Sequence, residues 1–337
     1  MFEKVIVDDN ELKKYTSESS LAERMKALIS YQQKQWDLAG KGYKQLKSIK
    51  TKELDFTNFS TRVQFNPGRI ISSSAKVDEK TIKERKCFLC SQNLPEDQKG
   101  LQYFRDYLIL VNPFPIFPEH FTIPKIDHVP QFIKNNFEGM LRLTKDIGKY
   151  YSVFYNGPNC GASAPDHMHF QAGTTNNLPL EIEYESIIKK CGRQIFEDED
   201  LKVFGVPDYI CKFYSIESSD QKSIVSAFEK IYEALHTLKQ SNSPEPMLNI
   251  ISSYEKNKWR VMIFPRAKHR PHQFFEEGKK NILLSPAAVD LGGICITPRE
   301  EDFKKISKDD VEDILRQVSI PLEFYEYITK HLRKKLN

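Results

Sequence analysis

Apolar residues Leu21, Met25, Leu28, Ile29 and Trp36 recur at helical spacing, with polar Gln32 breaking the stripe, and predict a helix over residues 21–39 that ends near Gly40. Its apolar side is expected to pack on the main core. Residues 107–111 and 121–123 are short runs of aromatic and β-branched residues flanking the turn-rich Asn112-Pro113-Phe114-Pro115, and they predict two strands. A helix over 137–151, strands at 152–155 and 168–171, and a C-terminal helix near 320–332 complete the pattern. The order strand, strand, helix, strand, strand favours an antiparallel sheet with a helix on one face, which places the chain in the α+β class.

One segment echoes another. Ile123-Pro124-Lys125-Ile126-Asp127-His128-Val129-Pro130-Gln131-Phe132 resembles Phe264-Pro265-Arg266-Ala267-Lys268-His269-Arg270-Pro271-His272-Gln273-Phe274, with one extra residue in the later copy. Each copy follows a β-rich run, so a duplicated strand-turn-helix unit is expected.

Composition narrows the class without choosing a function. With 39% hydrophobic and 28% charged residues over 337 positions, the chain is an ordinary globular one, long enough for one large or two modest cores. The net charge of +4, from 50 basic and 46 acidic residues, does not single out nucleic acid as a partner. Neither a basic-then-apolar leader nor an apolar run approaching roughly 18 residues is present, so a cytoplasmic protein without a membrane segment is expected. Of the six cysteines, only Cys87 and Cys90 have ligand-like spacing, which suggests reduced thiols and one metal knuckle.

The chemistry concentrates at Asp166-His167-Met168-His169-Phe170-Gln171. In an extended strand, side chains two residues apart share a face, so His167, His169 and Gln171 point the same way. Neutral imidazole is a good nucleophile towards phosphorus, and an amide holds a non-bridging oxygen without supplying an acidic proton. Nucleotidyl transfer through histidine is the chemistry suggested. Cys87-Phe88-Leu89-Cys90 could offer two thiolates to one tetrahedral zinc, with His120 and His167 as candidates for the remaining ligands. The alternative is two buried thiols and two unrelated histidines. His128 reads as a structural or surface residue. Phosphate oxygens need fixed cations, and Arg69, Lys76, Arg266, Lys268 and Arg270 are candidates, each alternatively a solvated surface charge.

His167-Met168-His169-Phe170-Gln171, preceded by Asn156-Gly157 and Gly161-Ala162-Ser163, resembles the nucleotidyltransferase branch of the histidine triad superfamily. That branch includes galactose-1-phosphate uridylyltransferase, diadenosine tetraphosphate phosphorylase and the GDP-hexose phosphorylases. Cys87-Phe88-Leu89-Cys90 with Asn93 is similar to the uridylyltransferase zinc knuckle, and 118–125 is similar to the strand before the helix throughout the superfamily. Asp166 departs from the uridylyltransferase pattern, where proline directly precedes the first histidine.

The resemblance implies two related histidine-triad-like antiparallel units with flanking helices: an N-terminal helical segment over 1–55, a catalytic unit over 56–190 and a degenerate unit over 191–337 that completes the pocket. It implies His169 as nucleophile, Gln171 on the phosphoryl oxygens, and Asn156, Gly161 and Ser163 near the phosphates. Cys87, Cys90, His120 and His167 would hold a zinc of structural role. The implied activity is phosphorolysis of a nucleoside diphosphate sugar, GDP-hexose first, to hexose 1-phosphate and a nucleoside diphosphate. Diadenosine tetraphosphate phosphorylase and hexose-1-phosphate uridylyltransferase are the alternatives, with a non-catalytic nucleotide-binding protein as a further one. Partners would be the nucleotide substrate and inorganic phosphate, with a homodimer left open.

Overall fold

The computed structural model describes residues 2–74, 77–237 and 245–336. The N-terminal helical pattern divides at Trp36, whose extended backbone separates helices Leu21–Gln35 and Asp37–Leu46. The expected stop at Gly40 is therefore displaced. Gly40 lies inside the second helix, where a Cβ would come within 2.6 Å of the Gln33 carbonyl oxygen, so close helix approach requires glycine there. Gln32 breaks the apolar stripe because its buried amide donates to the Asp97 carbonyl at 3.0 Å and accepts from the Lys99 N–H at 3.1 Å.

Strands β1 (Lys50–Asp55) and β2 (Ser60–Phe65) form a hairpin. Next come β3 (Gly100–Tyr103), β4 (Tyr107–Val111) and β5 (His120–Pro124), then helix Phe137–Ile147, β6 (Tyr151–Asn156) and β7 (His169–Thr174). After helix Pro179–Cys191 the same order returns: β8 (Arg193–Glu197), β9 (Leu201–Val206), β10 (Phe213–Ser218), helix Gln221–Thr237, β11 (Leu248–Glu255) and β12 (Lys258–Pro265). A last strand, β13 (Ile294–Thr297), pairs in parallel with β2 in a separate three-stranded sheet. The expected C-terminal helix runs over Leu322–Leu336.

Ten strands form one sheet in the order β3-β4-β5-β7-β6-β11-β12-β10-β9-β8, with every pairing antiparallel. Read outward from the central β6–β11 pair, the two halves have identical connectivity. The fold is thus an α+β architecture built from a repeated unit of three strands, a helix and two strands. The echo noted in the sequence is not its trace: it matches the end of β5, third strand of one half, with the end of β12, fifth strand of the other. The structural counterpart of β7 is β12, and that of β5 is β10.

Alternation along the strands separates two cores. Phe121, Ile123, Val153, Tyr155, Phe170 and Ala172 face helices Phe137–Ile147 and Gln221–Thr237. On the other face, Phe154, Ile251, Met262 and Phe264 pack beneath helix Pro179–Cys191 and the small sheet. Phe170 and Ala172 anchor β7 in the first core, which turns His169 and Gln171 towards the second face.

Candidate active site

His169 begins β7 opposite Pro124, which has no N–H to offer. A side-chain amide takes over the missing backbone partner: Gln131 Oε1 accepts from the His169 N–H at 2.7 Å, and Gln131 Nε2 donates to the carbonyls of His169 at 3.0 Å and Asn156 at 2.9 Å. The ring Nδ1 lies 2.8 Å from the His167 carbonyl oxygen. A carbonyl only accepts, so Nδ1 carries the proton and Nε2 presents its lone pair. Burial lowers the His169 pKa to about 4, which keeps the imidazole neutral at physiological pH.

Gln171 is oriented by similar logic. The Ile116 N–H donates to His120 Nδ1 at 3.2 Å, so the proton of this imidazole sits on Nε2, which lies 2.9 Å from Gln171 Oε1. With its oxygen accepting that bond, Gln171 turns its NH2 group towards the cavity as a donor. His120 is itself braced by Tyr43 from the N-terminal helices, whose hydroxyl accepts from the His120 N–H and donates to its carbonyl. Burial and the Arg69 charge hold the His120 pKa down at about 3.

His169 and Gln171 line a cavity of about 380 Å3, walled by Trp36, Phe88, Leu110, Val111 and Phe114 with Asn93, Gln98 and Asn112 among them. Its size and apolar walls suit a nucleoside. Gln171, Ser163, Arg69 and Ser72 also line a smaller polar cavity of about 60 Å3, closed by Asn156, Gly161, His269, Arg270 and Asp290. Asn156 Oδ1 accepts from Asn249 Nδ2 at 2.7 Å and the Ala288 N–H at 2.8 Å, so the donor end of its amide remains for a ligand. Gly161 has φ +94°, and a Cβ there would meet the Ala287 Cβ at 2.6 Å. Arg69 donates to the Phe114 carbonyl at 3.0 Å through Nη1, while its buried Nε has no protein partner. Desolvation raises the Asp290 carboxyl to about 6, opposed by backbone N–H bonds, those of Ala287 and Ile296 foremost, and by the Arg69 charge.

A second cluster lies at the start of the same strand. The ligand atoms of Cys87, Cys90, His128 and His167 are all within 4.8 Å of one another. His167 Nδ1 is 3.3 Å from Cys87 Sγ and 3.5 Å from Cys90 Sγ, and His128 Nδ1 is 3.1 Å from Cys90 Sγ. Because His167 Nε2 donates to the Lys125 carbonyl at 2.7 Å, its Nδ1 is the deprotonated atom facing the sulfurs. Burial and the Cys87 thiol push Cys90 up to about 11, so a cation is needed to hold that sulfur as a thiolate. Two thiols and two imidazole nitrogens at this separation fit a tetrahedral zinc, which would tie the knuckle to the base of β7.

His120 is not in this group, contrary to the expected ligand set. Both of its ring nitrogens are taken by Ile116 and Gln171, and His128, expected to be structural or a surface residue, stands in its place. Asp166 accepts from Arg85 at 2.5 Å and lies 3.8 Å from His128 Nε2.

Comparison with known proteins finds similarity in both halves of the chain. Residues 182–337 match the family model described as GDPGP1-like, C-terminal domain, and residues 28–174 match one described as a domain of unknown function, DUF4922. The fold is similar to yeast Ap4A phosphorylase Apa2: in complex with AMP the TM-score is 0.56 at 18% identity, over 88% of this chain and 96% of that one. With Ap4A bound it is 0.56 at 16% identity, over 87% and 97%. Over its second half the chain is similar to the GDPGP1-like family, and its fold is similar to that of yeast Ap4A phosphorylase. No curated protein matches this chain by sequence.

Several cations proposed from the sequence are placed elsewhere. Arg266 is buried and spent on structure, donating to Asn249 Oδ1 at 2.6 Å and to the carbonyls of Pro286, Lys268, His269 and Val318. Lys268 is exposed, binds Gln317 Oε1 at 2.9 Å and lines neither cavity. Lys76 lies outside the described residues. Arg69 and Arg270 do line the polar cavity. Sequence reasoning missed Gln131 and Asp290 and gave His269 no role. Gln131 carried one signal, its place seven residues after Pro124 in the echo, but a lone glutamine in a loop is ordinary.

Proposed function

We propose that this protein transfers a nucleotidyl group through His169 to inorganic phosphate, with a nucleoside diphosphate sugar as donor. The observation that carries the proposal is the neutral His169 Nε2 lining an apolar cavity of nucleoside size, with Gln171, two residues along the strand, shared between that cavity and a small polar one. Nε2 attacks the α-phosphorus, the P–N bond forms, and the bond to the leaving phosphate oxygen breaks with its electron pair. That oxygen belongs to a phosphate whose second pKa is near roughly 6, so it departs at neutral pH with little proton donation. Gln171 Nε2, Ser163 and Asn156 hold the phosphoryl oxygens. Phosphate then attacks, and the P–N electrons return to His169. A hexose 1-phosphate and a nucleoside diphosphate are the products, and the polar cavity suits an acceptor as small as orthophosphate.

The GDPGP1-like match over residues 182–337 favours GDP-hexose as donor. The similarity in fold to yeast Ap4A phosphorylase favours diadenosine tetraphosphate equally, with ADP and ATP as products. The test is a panel of GDP-, UDP- and ADP-hexoses and diadenosine tetraphosphate, each incubated with and without phosphate and separated by chromatography. Phosphate-dependent release of a nucleoside diphosphate is expected. Release of nucleoside monophosphate without phosphate would make the protein a hydrolase instead.

A further inference from the structure

The repeated topology predicts a second cavity by exchange of the two halves. The candidate active site lies at the end of β6 and the start of β7, and the segment following β12 closes it with His269 and Arg270. The exchanged position is the end of β11, the start of β12 and the segment following β7. A cavity of about 440 Å3 lies there, lined by Tyr254, Lys256 and Arg260 of the second half and by Thr175, Asn176 and Glu181 of the first. Arg260, opposite Glu217 of β10, lies near the start of β12 and faces the cavity with Met262, as His169 at the start of β7 faces its own cavity with Gln171.

The two sites differ in chemistry. Residues 157–168 join β6 to β7 and carry the glycine loop, whereas β11 turns into β12 through Lys256 and Asn257 alone, at φ 51° and 63°. No histidine lines this cavity, so it has no nucleophile of the His169 kind. Its rim is cationic. Lys145 and Lys149, at the end of helix Phe137–Ile147 and just beyond it, join Lys256 and Arg260. Arg260 is bound to Glu217 at 3.0 Å and Glu185 at 2.5 Å and lies 3.5 Å from the centre of the Tyr184 ring, which fixes it as the floor. The Glu181 carboxylate is occupied by the Ser152 hydroxyl and the Leu178 N–H, which leaves Glu255 as the acid on the open side. Lys145, Lys149 and Lys256 are exposed at the rim beside Glu255, with the Lys145 ammonium 5.8 Å from the centre of the Tyr254 ring and the Lys149 ammonium 4.9 Å from that of Tyr150.

We propose that this cavity is a second, non-catalytic site for a small phosphate-bearing metabolite, held by Lys145, Lys149 and Lys256. The inference stands on the repeat and the cavity and does not depend on the phosphorylase reading. The two tryptophans give each site its own reporter. Trp36 lines the nucleoside cavity, while Trp259 packs on Tyr254 at 4.9 Å between centroids, with the Lys145 ammonium 5.4 Å from its ring. A phosphate that draws Lys145 away from the indole changes its emission.

In full-length Trp36→Phe protein, titration with pyrophosphate is expected to give a saturable change in Trp259 fluorescence. In the same protein carrying Lys149→Glu and Lys256→Glu, binding weakens about tenfold or more. Parallel titrations with ADP and glucose 1-phosphate identify whether nucleotides or sugar phosphates supply the anion. Absence of a saturable change, or an unchanged response in the charge-reversed variant, overturns the proposal.

Discussion

The Nε2 atom of His120 lies 2.9 Å from Oε1 of Gln171, and the backbone N–H of Ile116 fixes which atom donates. Replacing His120 by phenylalanine frees the Gln171 amide to rotate and turns its donor away from the phosphoryl oxygens. We expect kcat to fall by about 10²-fold, in the range of a lost oxyanion donor, with little change in KM. In a Gln171→Ala background the same replacement should cost almost nothing further. Full additivity of the two losses in steady-state kinetics would mean that His120 acts through stability alone.

Metal content separates the two histidines. His128→Ala removes a ligand of the proposed zinc set, whereas His120→Phe leaves Cys87, Cys90, His128 and His167 in place. Elemental analysis of protein purified without chelator should show zinc retained in the His120 variant and depleted in the His128 variant. The reverse pattern would restore His120 as the ligand.

Gln131 substitutes for a strand neighbour. Gln131→Leu keeps the apolar volume but leaves the His169 N–H and the carbonyls of His169 and Asn156 without their partner. Unsatisfied buried groups of this kind cost about 1–3 kcal/mol each, and partial relaxation brings the expected loss to about 3 kcal/mol in urea denaturation. Activity should fall further than the residual folded fraction explains, because the start of β7 is displaced.

Glu245 gives a pH signature. It accepts from the Ile133 N–H at 2.6 Å and the Tyr155 hydroxyl at 2.5 Å, and burial raises its pKa to about 7. The folded state therefore holds a proton that the unfolded chain releases near pH 4.5, so this carboxyl lowers stability as pH rises from about 5 to 7 and has no further effect above. His120 and His269, both held down to about 3 by burial, act in the opposite sense as pH falls below 6.5. The difference between wild type and Glu245→Gln isolates the carboxyl. That difference should shift in favour of the variant by about 2–3 kcal/mol between pH 5 and 7.5 in denaturant titrations.

Much of the site was legible because it is local. The alternation of His169 and Gln171 is a property of three consecutive residues and lies on β7, whereas His167 precedes the strand and turns its ring to Cys87 and Cys90 instead of sharing the face of His169 and Gln171. The pairing of Cys87 with Cys90 is equally local. What remained hidden depends on chain reversals. Choosing His128 over His120 requires knowing that the chain after β5 turns back beneath the knuckle while His120 is held under the Tyr43 hydroxyl. Arg266 looked like a phosphate ligand by composition and proved to be a strut, because a guanidinium enclosed by five acceptors has nothing left to give. The duplication was anticipated for the wrong segment: side-chain likeness pointed to β5 and β12, whereas strand order equates β7 with β12.

The β6–β11 seam has an evolutionary consequence. Asn156, on the last position of β6, reaches Asn249 of the other half directly, and β6 finds in β11 the neighbour it would otherwise lack. A lone ancestral unit with this topology would have carried β6 as a bare edge, open to a second copy of itself. Joining two such copies in one chain would free the halves from having to remain alike. One could then lose its histidines and its long loop while still supplying wall and backbone to the other, which is a licence for divergence that a symmetric dimer does not have.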